Sequence, residues 1–400
     1  MNETAMQSNK PKEIFALLGI ILVTLNTRAA ISVLSPIFQQ IETSFPISAM
    51  ANGILGMLPP ITFAVFGWLT PRVIRKFGLE RSCTIAMVIL CIGILVRSLS
   101  VNAWMFGVLY VVCLAGMGMS NVLLPPLIKQ YFPNRIGLLT SMYSSLIPSS
   151  IALISLVAVP ITQAVGWRFF TAMWAGLPVL AAVPWIKLSH GSQEKQLEEK
   201  RQNLPVWRWP MAYTIVAILS VGVINFYVGL AWFPKLLMAT AGVSQATAAI
   251  MLSAYAAVGG VLALGLPMLL TRSKRIFLVI LFMMIMYTAG SIGLAFFPQL
   301  AWVWIIGFGF GQSLIPVSLT LVNMKSRTTG GTTSLSGFVQ GAGYVMGALG
   351  PLVFGGLFNL SGDWISPLWF LVGTAVLAAV AGLIANRTSF VEDMKTLQGN

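Results

Sequence analysis

Gly116-Met117-Gly118-Met119-Ser120-Asn121-Val122-Leu123-Leu124-Pro125 recurs in the second half of the chain as Gly307-Phe308-Gly309-Phe310-Gly311-Gln312-Ser313-Leu314-Ile315-Pro316. The two copies share their glycine spacing, a side-chain amide at the same place and a closing proline. Trp167 and the run Val179 to Val183 (VLAAV) likewise return as Trp364 and Val376 to Val380. The chain is therefore read as two homologous halves running in the same direction.

What those halves are made of follows from composition. Hydrophobic residues form 57% of the 400 positions and charged residues 8%, with a mean hydropathy of +0.86, which excludes a soluble globular domain. Apolar runs separated by polar breaks give twelve spans, near 14–40, 50–71, 82–98, 103–128, 136–161, 168–188, 210–233, 244–270, 276–297, 301–324, 329–359 and 366–386, each long enough to cross a bilayer. The fold expected is an all-α polytopic membrane protein of twelve transmembrane helices in two pseudo-symmetric six-helix bundles, residues 14–188 and 210–386. Residues 1–13, the linker 189–209 and the tail 387–400 flank them. A parallel six-plus-six repeat places a substrate site near the midplane, at the junction of the halves.

The net charge of +14 does not argue for nucleic acid, because the basic residues lie in small clusters between apolar runs and not in one stripe. With a cytoplasmic N-terminus, every Lys and Arg except Arg28, Arg97, Arg168 and Lys235 falls on the inner side. Both termini are therefore expected in the cytoplasm of a cell-membrane protein. Lys10 and Lys12 before an apolar run resemble a signal peptide, but the run is too long and lacks an A-x-A site, so it is read as the retained first span. Arg97 and Arg168, near outer span ends, are expected to snorkel. Cys83, Cys91 and Cys113 lie in apolar runs without metal-ligand spacing and are read as packing residues.

Arg28 stands apart. It lies near the middle of the first span, within Thr24-Leu25-Asn26-Thr27-Arg28-Ala29-Ala30-Ile31-Ser32, where a guanidinium costs about 2.5–3.5 kcal/mol on insertion scales. Thr24, Arg28, Ser32 and Ser35 share one helical face, so that face looks into a bundle or a wet cavity. A structural partner for the arginine and a bound anion both satisfy this pattern; the functional reading takes Arg28 as the centre of a substrate site. Uncharged candidates to complete it are Asn121, Tyr227, Gln312, Gln340 and Tyr344, each of which also has a reading as hydrogen-bonding glue between helices. Trp232 is read either as closing the outer side of the cavity or as an interface anchor.

At this point the chain resembles the major facilitator superfamily, and within it the cyanate and nitroimidazole permease branch. The resemblance rests on Leu25-Asn26-Thr27-Arg28 with Ser32, Val33 and Pro36, and on Gly67-Trp68-Leu69 through Gly78-Leu79-Glu80-Arg81. It continues in Gly118, Asn121, Pro125, Lys129 and Phe132-Pro133, in Phe226-Tyr227 with Trp232-Phe233-Pro234, and in Gln340, Gly343-Tyr344 and Gly350-Pro351. It implies a rocker-type carrier with a cavity lined chiefly by helices 1, 4, 7 and 10. Where the wider superfamily has an acidic residue in the loop after helix 2, this chain has Pro71. The proline-glycine run typical of proton-driven drug antiporters is absent from the fifth span.

No acidic residue falls inside the spans as drawn, and His190 is in the central linker. The dyads, nucleophile–base pairs and metal sites an intramembrane enzyme needs are missing, so no enzyme, cofactor or metal is expected. The protein is expected to work as a monomer among membrane lipids, as a carrier of a small anion or small polar compound. Export of larger amphipathic drugs is the rival carrier reading, and an anion channel the rival from another class.

Overall fold

The computed structural model describes residues 10–32, 37, 40–46, 49–189, 204–273, 275–387 and 389–393. These are helical with no strand: α1 (Lys10–Ser32), α2 (Ala49–Phe77), α3 (Leu79–Ser98), α4 (Ala103–Tyr131), α5 (Ile136–Met173), α6 (Gly176–Ser189), α7 (Pro210–Ala241), α8 (Gln245–Arg272), α9 (Ile276–Phe296), α10 in two pieces (Ala301–Gly309 and Leu314–Met324), α11 (Thr329–Ser361) and α12 (Ile365–Ala385). A 3-10 turn at Gly311–Ser313 joins the pieces of α10. The run α5 contains a true break, because Gly166 has φ 80° and ψ 157°, a conformation that only glycine adopts cheaply. The sixth span therefore begins at Trp167, where the sequence places it to within a residue.

Two expectations need correction. The sequence starts the third span at Ser82 and leaves Glu80 in a loop, whereas α3 begins at Leu79 and Glu80 is a buried member of its first turn. Gln130 Nε2 and Tyr131 Oη, at the end of α4, donate to Glu80 Oε1 at 2.6 and 2.7 Å. These donors compensate the burial of the carboxylate. Arg97 does not snorkel: it is 1% exposed, with its guanidinium beside the rings of Phe106 and Tyr110. Arg168 does lie at the surface, donating to Ser100 O and resting on the Trp167 ring. Of the cysteines, Cys83 and Cys113 are buried and Cys91 half-buried. The linker's His190 and its glutamates lie outside the described residues.

Polar side chains within the helices turn to their own backbone. Ser120 Oγ bonds Gly116 O and Thr320 Oγ1 bonds Pro316 O, both at 2.8 Å, as hydrocarbon surroundings demand. Apolar side chains such as Leu180, Val261 and Val376 stay exposed on the outside of the bundles, where lipid is their solvent.

The helices form two compact units. One holds the described parts of Met1–Arg135 and Ser145–Leu204 with Thr328–Gly337, and the other those of Ile136–Ser144, Pro205–Arg327 and Phe338–Asn400. The first turns of α5 thus belong with the second unit and the first turns of α11 with the first. A Cβ on Gly137 would meet Pro267 O at 3.0 Å, and Gly337 abuts the Pro71 ring and Gly67 O.

Glycine sets the helix spacing identically in both units. In the first, Gly93 and Gly116 let α3 and α4 touch: a Cβ at Gly116 would sit 2.6 Å from Ala86 O. In the second, Gly290 and Gly307 do the same for α9 and α10, with 2.6 Å from Gly290 to Trp304 O and 2.8 Å from Gly307 to Met286 O. Small residues are the usual means of close backbone approach in a bilayer. Gly290→Val is therefore expected to destabilise the protein by about 1–3 kcal/mol through overpacking, read as a lower melting temperature in detergent. Gly373→Val on α12, where nothing lies within 4 Å, is the control and should leave it unchanged.

Candidate functional site

The stretch of α1 that carries Arg28 is polar, and the side chains next to it donate to carbonyls of their own helix. Thr24 Oγ1 donates to Ile20 O at 2.7 Å, Asn26 Nδ2 to Leu22 O at 2.9 Å and Thr27 Oγ1 to Thr24 O at 2.7 Å. All three are buried, while Arg28 is half-buried. Its guanidinium carbon lies 4.8 Å from the centroid of Phe63 on α2, within cation–π range. Phe63 is itself 1% exposed and is backed by Gly118 of α4, where a Cβ would stand 3.2 Å from Phe63 Cδ1 and 3.1 Å from Phe66 Cβ. The glycine of the repeat motif thus makes room for the ring that supports the arginine. A guanidinium stacked by one face has its N–H groups in the plane of the fork, the geometry that suits a ligand with two acceptor atoms. Side-chain facts at Ser32 and Ser35, the other members of the proposed polar face, lie outside the described residues.

Asn121 follows on the same helix as Gly118. It is half-buried and donates through Nδ2 to Met117 O at 3.2 Å.

The second unit repeats this plan with other chemistry. Ile224-Asn225-Phe226-Tyr227 stands on α7 as Leu25-Asn26-Thr27-Arg28 stands on α1, so Tyr227 occupies the place of the arginine. Tyr227 is half-buried, edge to face with Phe226 at 5.3 Å. Asn225 is fully buried, and its Nδ2 donates to Phe308 O at 3.2 Å. Tyr255 of α8, whose ring lies against Gly229 of α7, places its hydroxyl 2.8 Å from Asn225 Oδ1.

Gln312 joins this network: Nε2 donates to Tyr255 O at 2.6 Å, and the side chain lies against Gly259. One of its two amide N–H groups is thus used inside the unit. Gln340 and Tyr344 are both buried on α11, at 2% and 4% exposure. Trp232 donates to Pro351 O at 3.1 Å within a cluster with Phe354, Phe358 and Trp364.

Sequence reasoning missed Phe63, Asn225 and Tyr255. The second Asn-x-(Arg/Tyr) copy was the available signal for Asn225. Nothing local marked Phe63 or Tyr255 among so many aromatic residues. A groove of about 540 Å³ on α9, α10 and α12 is lined by side chains such as Met284, Ile285, Ile292 and Val376. It is apolar and offers no anchor for a polar substrate.

The comparisons agree with this architecture. The model of the Major Facilitator Superfamily matches residues 18–351. The 2-nitroimidazole transporter of Escherichia coli (strain K12) is 31% identical over 376 residues, 92% of this chain and 94% of that protein. The cyanate transport protein CynX of the same organism is 26% identical over 377 residues, 90% and 95% of the two chains. Among solved structures, the proton:xylose symporter XylE superposes with a TM-score of 0.73 at 16% identity, covering 97% of this chain and 99% of that one. This degree of identity speaks for the fold alone. With two glycine-spaced six-helix repeats, a polar first span and full-length relatives, the chain belongs to the Major Facilitator Superfamily and is a membrane transporter of small substrates, not an enzyme.

Proposed function

We propose that the protein carries a small anion or a small planar polar compound across the cell membrane by alternating access, with Arg28 as the anchor for the substrate. The observation that carries this reading is the guanidinium held by one face on Phe63 in a span where Thr24, Asn26 and Thr27 donate to their own helix. A charge in hydrocarbon is a functional site by default, and a stacked guanidinium favours ligands with two acceptor atoms in one plane.

Nitroimidazole and cyanate, the compounds in the names of the two relatives, are small and rich in oxygen or nitrogen acceptors, and we take compounds of that class as the substrate. Asn121 and, in the second unit, Tyr227, Gln312, Gln340 and Tyr344 are proposed as further contacts, with Gln312 acting through its carbonyl oxygen. The positive-inside pattern supports a cytoplasmic location for both termini, and a monomer is proposed as the working unit.

Arg28→Ala should leave a folded protein and weaken 2-nitroimidazole or cyanate binding on the order of 10- to 100-fold, the value of hydrogen bonds to a charged group. Arg28→Lys should recover little, because an ammonium lacks the planar fork. Titration calorimetry on detergent-purified protein checks both. Unchanged affinity in Arg28→Ala would remove the arginine from the site, and loss of the folded protein would make its role structural.

Phe63→Leu removes the ring under the guanidinium and should weaken binding about 3- to 10-fold, while Phe63→Tyr should bind nearly as the parent does. The same calorimetry reads this, and equal losses in the two variants would show that Phe63 acts by volume and not by its π face.

A further inference from the structure

In the second unit, the break in α10 lays a side-chain amide against α8 in one orientation. The residue is Gln312, in the 3-10 turn Gly311–Ser313, and it is 8% exposed. The amide atom 2.6 Å from Tyr255 O is Nε2, and chemistry requires this, because a backbone carbonyl only accepts and only the nitrogen end of an amide donates. Turning the amide over would set two carbonyl oxygens against each other. Gly259 of α8 makes the seat: the atoms nearest to where its Cβ would stand are Cδ, Cγ and Nε2 of Gln312. The stem and the nitrogen of the amide therefore lie in the contact between α8 and α10.

The residues around this seat are held in turn. The Tyr255 hydroxyl stands 2.8 Å from Asn225 Oδ1 and 3.0 Å from Asn225 O, and donates to them. Asn225 Nδ2 donates to Phe308 O at 3.2 Å, so the Asn225 amide has one orientation for the same reason as that of Gln312. Both Asn225 and Tyr255 are fully buried. Gly311, next to Gln312, has no room for a side chain, since a Cβ would meet Asn225 Nδ2 and Cγ at 2.6 and 2.7 Å. A buried network with each amide oriented by its partners fixes geometry more than it adds stability. Asn121, the repeat mate of Gln312, donates instead to Met117 O of its own helix.

We propose that this locked amide makes the second unit a reader of hydrogen-bond donors: Gln312 Oε1 accepts from an N–H or O–H of the substrate, and Gly259, Tyr255 and Asn225 are positioning residues that keep the oxygen presented. The inference rests on the reading of Gln312 as a substrate contact given above. It narrows the substrate class to small planar polar compounds that carry a donor, such as an azole with a ring N–H. Bare anions and N-alkylated rings of similar size are disfavoured. A fixed acceptor discriminates in this way because a ligand without a donor leaves it desolvated and unpaired. An amide able to turn over would meet a donor or an acceptor equally, so the lock is the source of the selectivity.

The test is titration calorimetry on the full chain in detergent, at a pH low enough for the azole to keep its ring N–H, comparing 2-nitroimidazole with its 1-methyl and 4-methyl derivatives. The parent should bind the 1-methyl compound about 3- to 10-fold more weakly than 2-nitroimidazole, the value of one hydrogen bond. The 4-methyl compound, which has the same bulk but keeps the N–H, should bind nearly as 2-nitroimidazole does. Gln312→Met, similar in length but without the amide, should weaken 2-nitroimidazole by about that factor and remove the gap between it and the 1-methyl compound. Gly259→Ala, which pushes the amide off its seat, should narrow the same gap. Equal losses for the two methyl derivatives in the parent would make the effect one of bulk and overturn the proposal. A gap that survives in Gln312→Met would overturn it as well, while Arg28 would stand or fall by the Arg28→Ala titration. A parent that binds cyanate but none of the azoles would overturn the donor requirement and leave the reading of Arg28 in place. If Gly259→Ala does not fold, Gln312→Met decides.

Discussion

A guanidinium within an apolar span must be received by something, and the first unit is arranged around that requirement. Arg28 leans on Phe63, Phe63 is backed by Gly118, and Gly118 is one of the glycines whose absent side chain lets α4 approach α2. Each link depends on the next: a side chain at position 118 would displace the ring, and a displaced ring would leave the charge without its support.

The second unit shows the same scaffold put to another use. On α8 the buried aromatic residue Tyr255 uses its hydroxyl to hold Asn225, whereas Phe63 on α2 supports a cation. Tyr227 takes the place of the arginine. Duplication has thus kept the glycine-spaced helix contacts, which are set by backbone geometry, and let the polar content diverge. One unit thus carries a cation, Arg28, where the other carries the neutral Tyr227.

The architecture was legible because bilayer constraints write themselves into sequence: runs of apolar residues for spans, basic clusters for loops, and a glycine motif repeated in each half. Even the break at Gly166 was visible as a gap between runs. What escaped was whatever depends on which side chains meet. Glu80 read as a loop residue because its charge ends an apolar run, yet Gln130 and Tyr131, distant in sequence, supply the donors that let it be buried in α3. Arg97 read as snorkelling for the same reason, and aromatic faces beside it make burial tolerable. Gln312 was singled out by its place in the repeat, but periodicity does not reveal that its nitrogen is bonded to Tyr255.

The central claim is that Arg28 and its supporting ring receive the substrate. The most direct measurement is a crystal structure with a brominated 2-nitroimidazole, located by the anomalous scattering of its bromine. The account predicts a peak beside Arg28 and Phe63, lost when Arg28 is replaced by alanine. A peak only in the apolar groove of α9, α10 and α12, or one beside Arg28 that persists in the alanine variant, would contradict it.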